Sequence, residues 1–122
     1  MANKLLIVMH NSSPEEPAAL AAALSQAAVA AAMEYDVEVV LSGPAGRIAV
    51  PGVAAALKER ESGSRTIYDM IREAFEAGAV FKVCGAVLER WGDELIPEIS
   101  ETVGAAYLVS EAMDDDTLTL TY

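Results

Sequence analysis

The sequence predicts a single-domain α/β fold: a three-layer sandwich with helices on both faces of a mostly parallel sheet of about five strands. Three observations carry that expectation. Short apolar runs such as KLLIVMH (4–10) and AVFKVC (79–84) have the composition of strands covered on both faces. Segments with helical spacing alternate with these runs. The 122 residues, 53% of them hydrophobic, suffice for one core and one domain over residues 1–122.

Each element follows from its own chemistry. KLLIVMH forms the first strand, and the polar stretch NSSPEEP ends it. Ser13 suits a helix cap, Pro14 suits a first turn, and Glu15 and Glu16 complement the positive end of a helix dipole, so a helix is expected over Pro14–Tyr35. Its surface is nearly all alanine and lacks a charged face, which calls for cover by the sheet and by a neighbouring subunit. DVEVVLSG (36–43) forms a second strand ending in the turn SGPAG. A short helix is expected near 52–60. Ile67, Met70, Ile71, Ala74 and Phe75 then recur at i, i+3, i+4, i+7 and i+8, opposite Asp69, Arg72, Glu73 and Glu76, and Gly78 supplies the stop. AVFKVC is the third strand, GAVLERWG a short helix closed by Gly92, and DELIPEIS, with Pro97, an edge strand or a loop. A helix over Val103–Met113 and a period-two strand in TLTLTY complete the order.

Charge narrows the function. Eight basic against 19 acidic residues give a net charge of −11, which repels phosphate backbones and anionic bilayers, so neither nucleic acid nor membrane is an expected partner. The opening apolar run is too short for a signal sequence, and the alanine-rich stretch over Ala18–Met33 falls short of a membrane span. With a single cysteine there is no intrachain disulfide and no sign of an oxidising compartment, so a cytoplasmic location is expected.

His10, Ser42 and Cys84 all end strands, and in parallel α/β sheets sites form at that rim. If a helix begins just after Cys84, its amides favour the thiolate, and Gly85 leaves room for an incoming group. The same residue also fits the role of a small buried hydrophobe. His10 could orient or protonate a group at the rim, or simply face solvent. Lys82 adds positive potential near Cys84 or lies on a sheet edge with its stem along the surface. One histidine and one cysteine do not make a zinc set, so no metal is expected. The loop at residues 10–14 stands where flavodoxin-like folds hold a phosphate, but two glutamates oppose an anion there, and the chain has no phosphate-binding glycine motif.

The segment VFKVCGAVLERWG resembles the DsrE/DsrF-like sulfur-relay family: a cysteine after a core strand, small residues, then a basic residue and a glycine, here Cys84, Gly85, Ala86, Arg90 and Gly92. The opening strand, long first helix and short terminal strand are similar as well. Gly85, Val87 and Trp91 depart from the commoner alanine-rich, tryptophan-free form of the motif. The resemblance implies a DsrE-like fold and a sulfur carrier or sulfurtransferase subunit that holds sulfur on Cys84 as a persulfide. His10, Asn11 and Gly85 would be rim contacts for the substrate. No cofactor is implied. Partners would be sulfur donor and acceptor proteins or small sulfur compounds, and assembly would be a homo-oligomer, a trimer or hexamer. A non-catalytic DsrE-like assembly subunit and a small-ligand or nucleotide-binding module are the alternatives.

Overall fold

The structure, a computed structural model, describes residues 2–122. Its elements run β1 (Lys4–Met9), α1 (Pro17–Ala32), β2 (Asp36–Leu41), α2 (Ile67–Ala77), β3 (Val80–Cys84), α3 (Gly85–Trp91), β4 (Ile99–Val103), α4 (Ala105–Ala112) and β5 (Thr117–Thr121). Two 3-10 segments, Gly43–Ala49 and Ala54–Ala56, lie between β2 and α2. The five strands form one sheet in the order β4-β3-β2-β1-β5, and every neighbouring pair is parallel.

Alternation along the strands divides the apolar side chains between two faces of unequal depth. Ile7, Met9, Val37, Val39, Leu41, Phe81 and Val83 are fully buried with Leu20, Leu24 and Ala27 of α1 and Ile67, Ile71 and Ala74 of α2. This is the main core. The opposite face buries a smaller apolar cluster of Leu6, Val40 and Val103, with Val8 of β1 and Tyr107 and Leu108 of α4 packed against it. Helices therefore cover both faces, as the sequence predicts.

Several boundaries differ from expectation. The first helix starts at Pro17 because residues 13–16 form a separate turn, in which the Glu16 N–H donates to the Ser13 carbonyl at 3.0 Å. It stops at Ala32, since Glu34 takes a left-handed backbone with φ of 70° and the Tyr35 N–H returns to the Ala30 carbonyl. The helix expected near 52–60 is only the 3-10 turn Ala54–Ala56: Gly52 adopts φ of 89°, and Lys58 pairs antiparallel with Thr66, so the intervening residues double back. DELIPEIS resolves into a loop and then β4, an edge strand as its proline allows.

The helix α2 is closed at both ends by local chemistry. Thr66 Oγ1 accepts from the Asp69 N–H at 3.1 Å, the Asp69 carboxylate accepts from the Thr66 N–H at 2.9 Å, and Gly78 ends the helix with φ of 119°. Those hydrogen bonds, first the Thr66 N–H to the carboxylate, hold Asp69 below the usual carboxylate range. Thr66→Ala is expected to cost about 1 kcal/mol, read as a lower urea midpoint with an unchanged slope. No helix among the described residues is long and apolar enough to cross a membrane.

Candidate active site at the carboxyl rim

Register brings the predicted residues to one rim. Met9 pairs with Leu41 and Leu41 with Val83, so the next residues on these three adjacent strands are His10, Ser42 and Cys84. The two outer residues are thus two strand spacings apart, roughly 10 Å between backbones. On its other side Cys84 pairs with Val103 of β4. The chain passes from β3 into α3 without a linker, and Cys84 is both the last strand residue and the helix cap. Its thiol is free and half-buried, with one side against the main core. It is therefore neither sealed in the core nor fully exposed.

His10 is held from two sides. Its Nδ1 lies 3.1 Å from Ser42 Oγ, and its ring rests against Gly43, where an added Cβ would sit 2.8 Å from the imidazole Cε1. Gly43 has φ of 51°, so both conformation and space favour glycine. The backbone N–H groups of His10 and Asn11 each donate to the Tyr122 carbonyl at 2.8 Å, which stitches β1 to the end of β5. The imidazole's hydrogen bond goes to Ser42 and not to the Cys84 thiol.

The glycines near the thiol play different parts. An added methyl at Gly85 would meet Thr102 Cγ2 at 3.7 Å and the Val103 carbonyl at 3.9 Å, ordinary contact distances, so the fold itself does not demand glycine there. At Gly46 it does. A Cβ would fall 2.3 Å from Val87 Cγ2, so the 3-10 segment presses directly on α3. Gly46→Ala is expected to cost about 1–3 kcal/mol through overpacking and to shift α3. Thermal unfolding of the single variant and of Gly46→Ala combined with Val87→Ala checks this; the second change should return part of the loss. SGPAG read only as a turn in the sequence, because nothing local shows that Val87 lands on it.

A charged network lies on the face that carries Leu6 and Val40, its nearest member Lys82 two residues before Cys84. Glu38, only 5% exposed, accepts from Tyr107 Oη at 2.5 Å and pairs with Lys4 at 3.0 Å and Lys82 at 3.3 Å. Lys82 also reaches Tyr107 Oη at 2.7 Å and Glu101 at 2.8 Å, and Lys4 pairs with Glu111. Burial alone would raise the Glu38 carboxyl, but Tyr107, Lys4 and Lys82 together hold it below the usual range. Burial would likewise lower Lys82, and Glu101, Tyr107 and Glu38 reverse that and raise it. Lys82 is therefore not an edge residue, because β3 lies between β2 and β4, and its charge is spent on partners within the fold. Sequence reasoning missed Glu38 and Tyr107; a charge inside the run DVEVV was the available signal.

Fold and rim define a small α/β protein with one free thiol at the carboxyl edge of a parallel sheet. The family model described as DsrE/DsrF-like matches residues 4–113, and the chain belongs to that family. Among solved structures it is similar to the crystal structure of the ychN protein from E. coli, with 17% identity, a TM-score of 0.76 and full coverage of both chains, a likeness of fold. No curated protein matches this chain.

Proposed function

We propose that this protein is a cytoplasmic sulfur carrier, a subunit that accepts sulfane sulfur on Cys84 as a persulfide and passes it to a partner. Family membership supports a sulfur-relay role, and the observation that carries the finer reading is the half-buried free thiol at the junction of β3 and α3. The Cys84 thiolate attacks the outer sulfur of a donor persulfide. A new S–S bond forms, the donor's own S–S bond breaks, and the donor leaves as a thiolate. An acceptor thiolate then takes the terminal sulfur and returns Cys84 to its starting state. No electron acceptor or resident cofactor enters the balance.

His10, Asn11 and Gly85 contact the incoming group at this rim, with His10 oriented by Ser42 and Gly43. Donors and acceptors are cysteines of other proteins or small sulfur compounds. The acidic surface selects basic docking faces, which speeds encounter and discriminates among partners. The working unit is a homo-oligomer, a trimer or hexamer.

The test is incubation with a small persulfide donor, followed by trypsin under non-reducing conditions. The peptide Val83–Arg90, released by cleavage after Lys82 and Arg90, contains the only cysteine. It should gain the mass of one sulfur atom and lose it on addition of an acceptor thiol. An unmodified peptide after exposure to excess donor would overturn the reading.

A further inference from the structure

We propose that the small pocket between the turn over residues 51–56, the first turn of α2 and the loop before β4 binds a short primary alkylammonium ion, an amine in its cationic form on a body of a few carbons. The pocket has a volume of about 180 Å³ and is walled by Pro51, Ala54, Ala55, Tyr68, Ile96 and Pro97. That volume lies below the roughly 300–1,000 Å³ of sites for drug-sized ligands, so it suits a small guest.

The walls are in place before a guest arrives. Proline fixes the backbone on two sides, at Pro51 and Pro97. The Ile67 N–H donates to the Leu57 carbonyl at 2.8 Å, which ties α2 to the 3-10 turn Ala54–Ala56. The Ile96 N–H donates to the Ala49 carbonyl at 2.9 Å, which ties the loop before β4 to the other 3-10 segment. Ala54 and Ile96 are buried while Pro51, Ala55 and Pro97 are exposed, so the pocket has an inner end and a mouth. A preformed site spares a ligand much of the cost of ordering.

Polarity selects the guest. Of the side chains that line the pocket, only Tyr68 carries a polar atom. Its hydroxyl donates its one proton to Glu98, at 2.9 and 3.1 Å from the two carboxylate oxygens, so towards any other group the phenol oxygen can only accept. The guest must therefore bring the donor. Glu98 is 6% exposed, and its charge is incompletely answered within the fold: Arg72 Nε stands 4.0 Å away, and that guanidinium makes its hydrogen bond to Glu76, at 3.2 Å. A group held on the Tyr68 oxygen lies within two hydrogen-bond lengths of the carboxylate, where positive charge is attracted and negative charge repelled. The aromatic ring favours a cation for the same electrostatic reason. An ammonium supplies donors and charge together, and a few methylenes cover the apolar walls.

None of these residues belongs to the carboxyl rim, so the site goes beyond the carrier role and does not depend on sulfur chemistry at Cys84.

Titration of the wild-type chain with n-butylammonium chloride at constant ionic strength, followed by amide chemical shifts, tests it. Saturable shifts should appear among the amides of residues 51–56, 66–69 and 95–98, with a Kd of about 1–10 mM, inside the ceiling on binding energy for a ligand of so few atoms. Butanol and butyrate, of similar length but neutral and anionic, should bind about tenfold more weakly or not at all. Glu98→Gln keeps the side chain's shape and an acceptor for Tyr68, and should weaken butylammonium about tenfold while leaving butanol unchanged. A second variant covers the case in which that change disturbs folding: Ala55→Leu, at an exposed wall, places a larger side chain in the pocket and should abolish saturation. No saturable shift at these amides, butanol binding as tightly as butylammonium, or wild-type affinity in folded Glu98→Gln or Ala55→Leu would overturn the proposal.

Discussion

A Cys84→Ser chain is expected to take up no sulfur from a persulfide donor, while its unfolding free energy changes by about 1 kcal/mol or less. The two halves of that result come from the same geometry. Cys84 has one side against the core and the other open, so a hydroxyl of similar size keeps the backbone course and costs little packing. The serine hydroxyl lacks the thiolate that forms the new S–S bond in the proposed transfer. Intact-mass measurement after donor treatment, together with urea unfolding, checks both. A serine variant that gains the same mass would show that Cys84 is not the acceptor.

Glu38→Ala is expected to lower stability by about 3 kcal/mol, the low end of the cost of stranding a buried charge partner. Removal of this carboxylate leaves Tyr107 without its acceptor and takes one counter-charge from both Lys4 and Lys82. Each lysine retains a second carboxylate, Glu111 or Glu101, which moderates the loss. The pH dependence has a definite sign. The Glu38 carboxyl is held below its ordinary value of 4.5, so its contribution is present above that pH and disappears as pH falls through the lowered value. Lys4 and Lys82 are raised above the ordinary 10.5, so their contribution persists below it and fades only as pH climbs through the raised values. Urea unfolding at a series of pH values should show the gap between wild type and Glu38→Gln narrowing towards acid. A gap that stays constant would show that Glu38 carries no charge-dependent stability.

Local signals fixed the kinds of element, while contacts between distant segments fixed their limits and partners. The helix α2 was legible because its period, its Thr66 cap and its Gly78 stop agree. The strands announced themselves by apolar runs, and the rim residues followed, since strand ends in a parallel sheet share an edge. Ser13 and Pro14 misled about the start of α1, because a turn uses the same residues as a helix entry. The alanines at 54–56 suggested a helix that the Lys58–Thr66 pairing leaves no room to extend. Lys82 could be placed on a strand but not within the sheet, since strand order is a property of crossovers rather than of any one segment. The Glu38 network joins residues up to 73 positions away from it and so had no local pattern to read.

The direct passage from β3 to α3 bears on how cargo could travel. The Cys84 thiol sits on a residue shared by two rigid elements and not on a flexible segment. The thiol has no arm to swing. On the proposed carrier reading, a sulfur atom loaded at Cys84 would stay where it was received, and donor and acceptor would each bring a reaching segment to this ledge in turn.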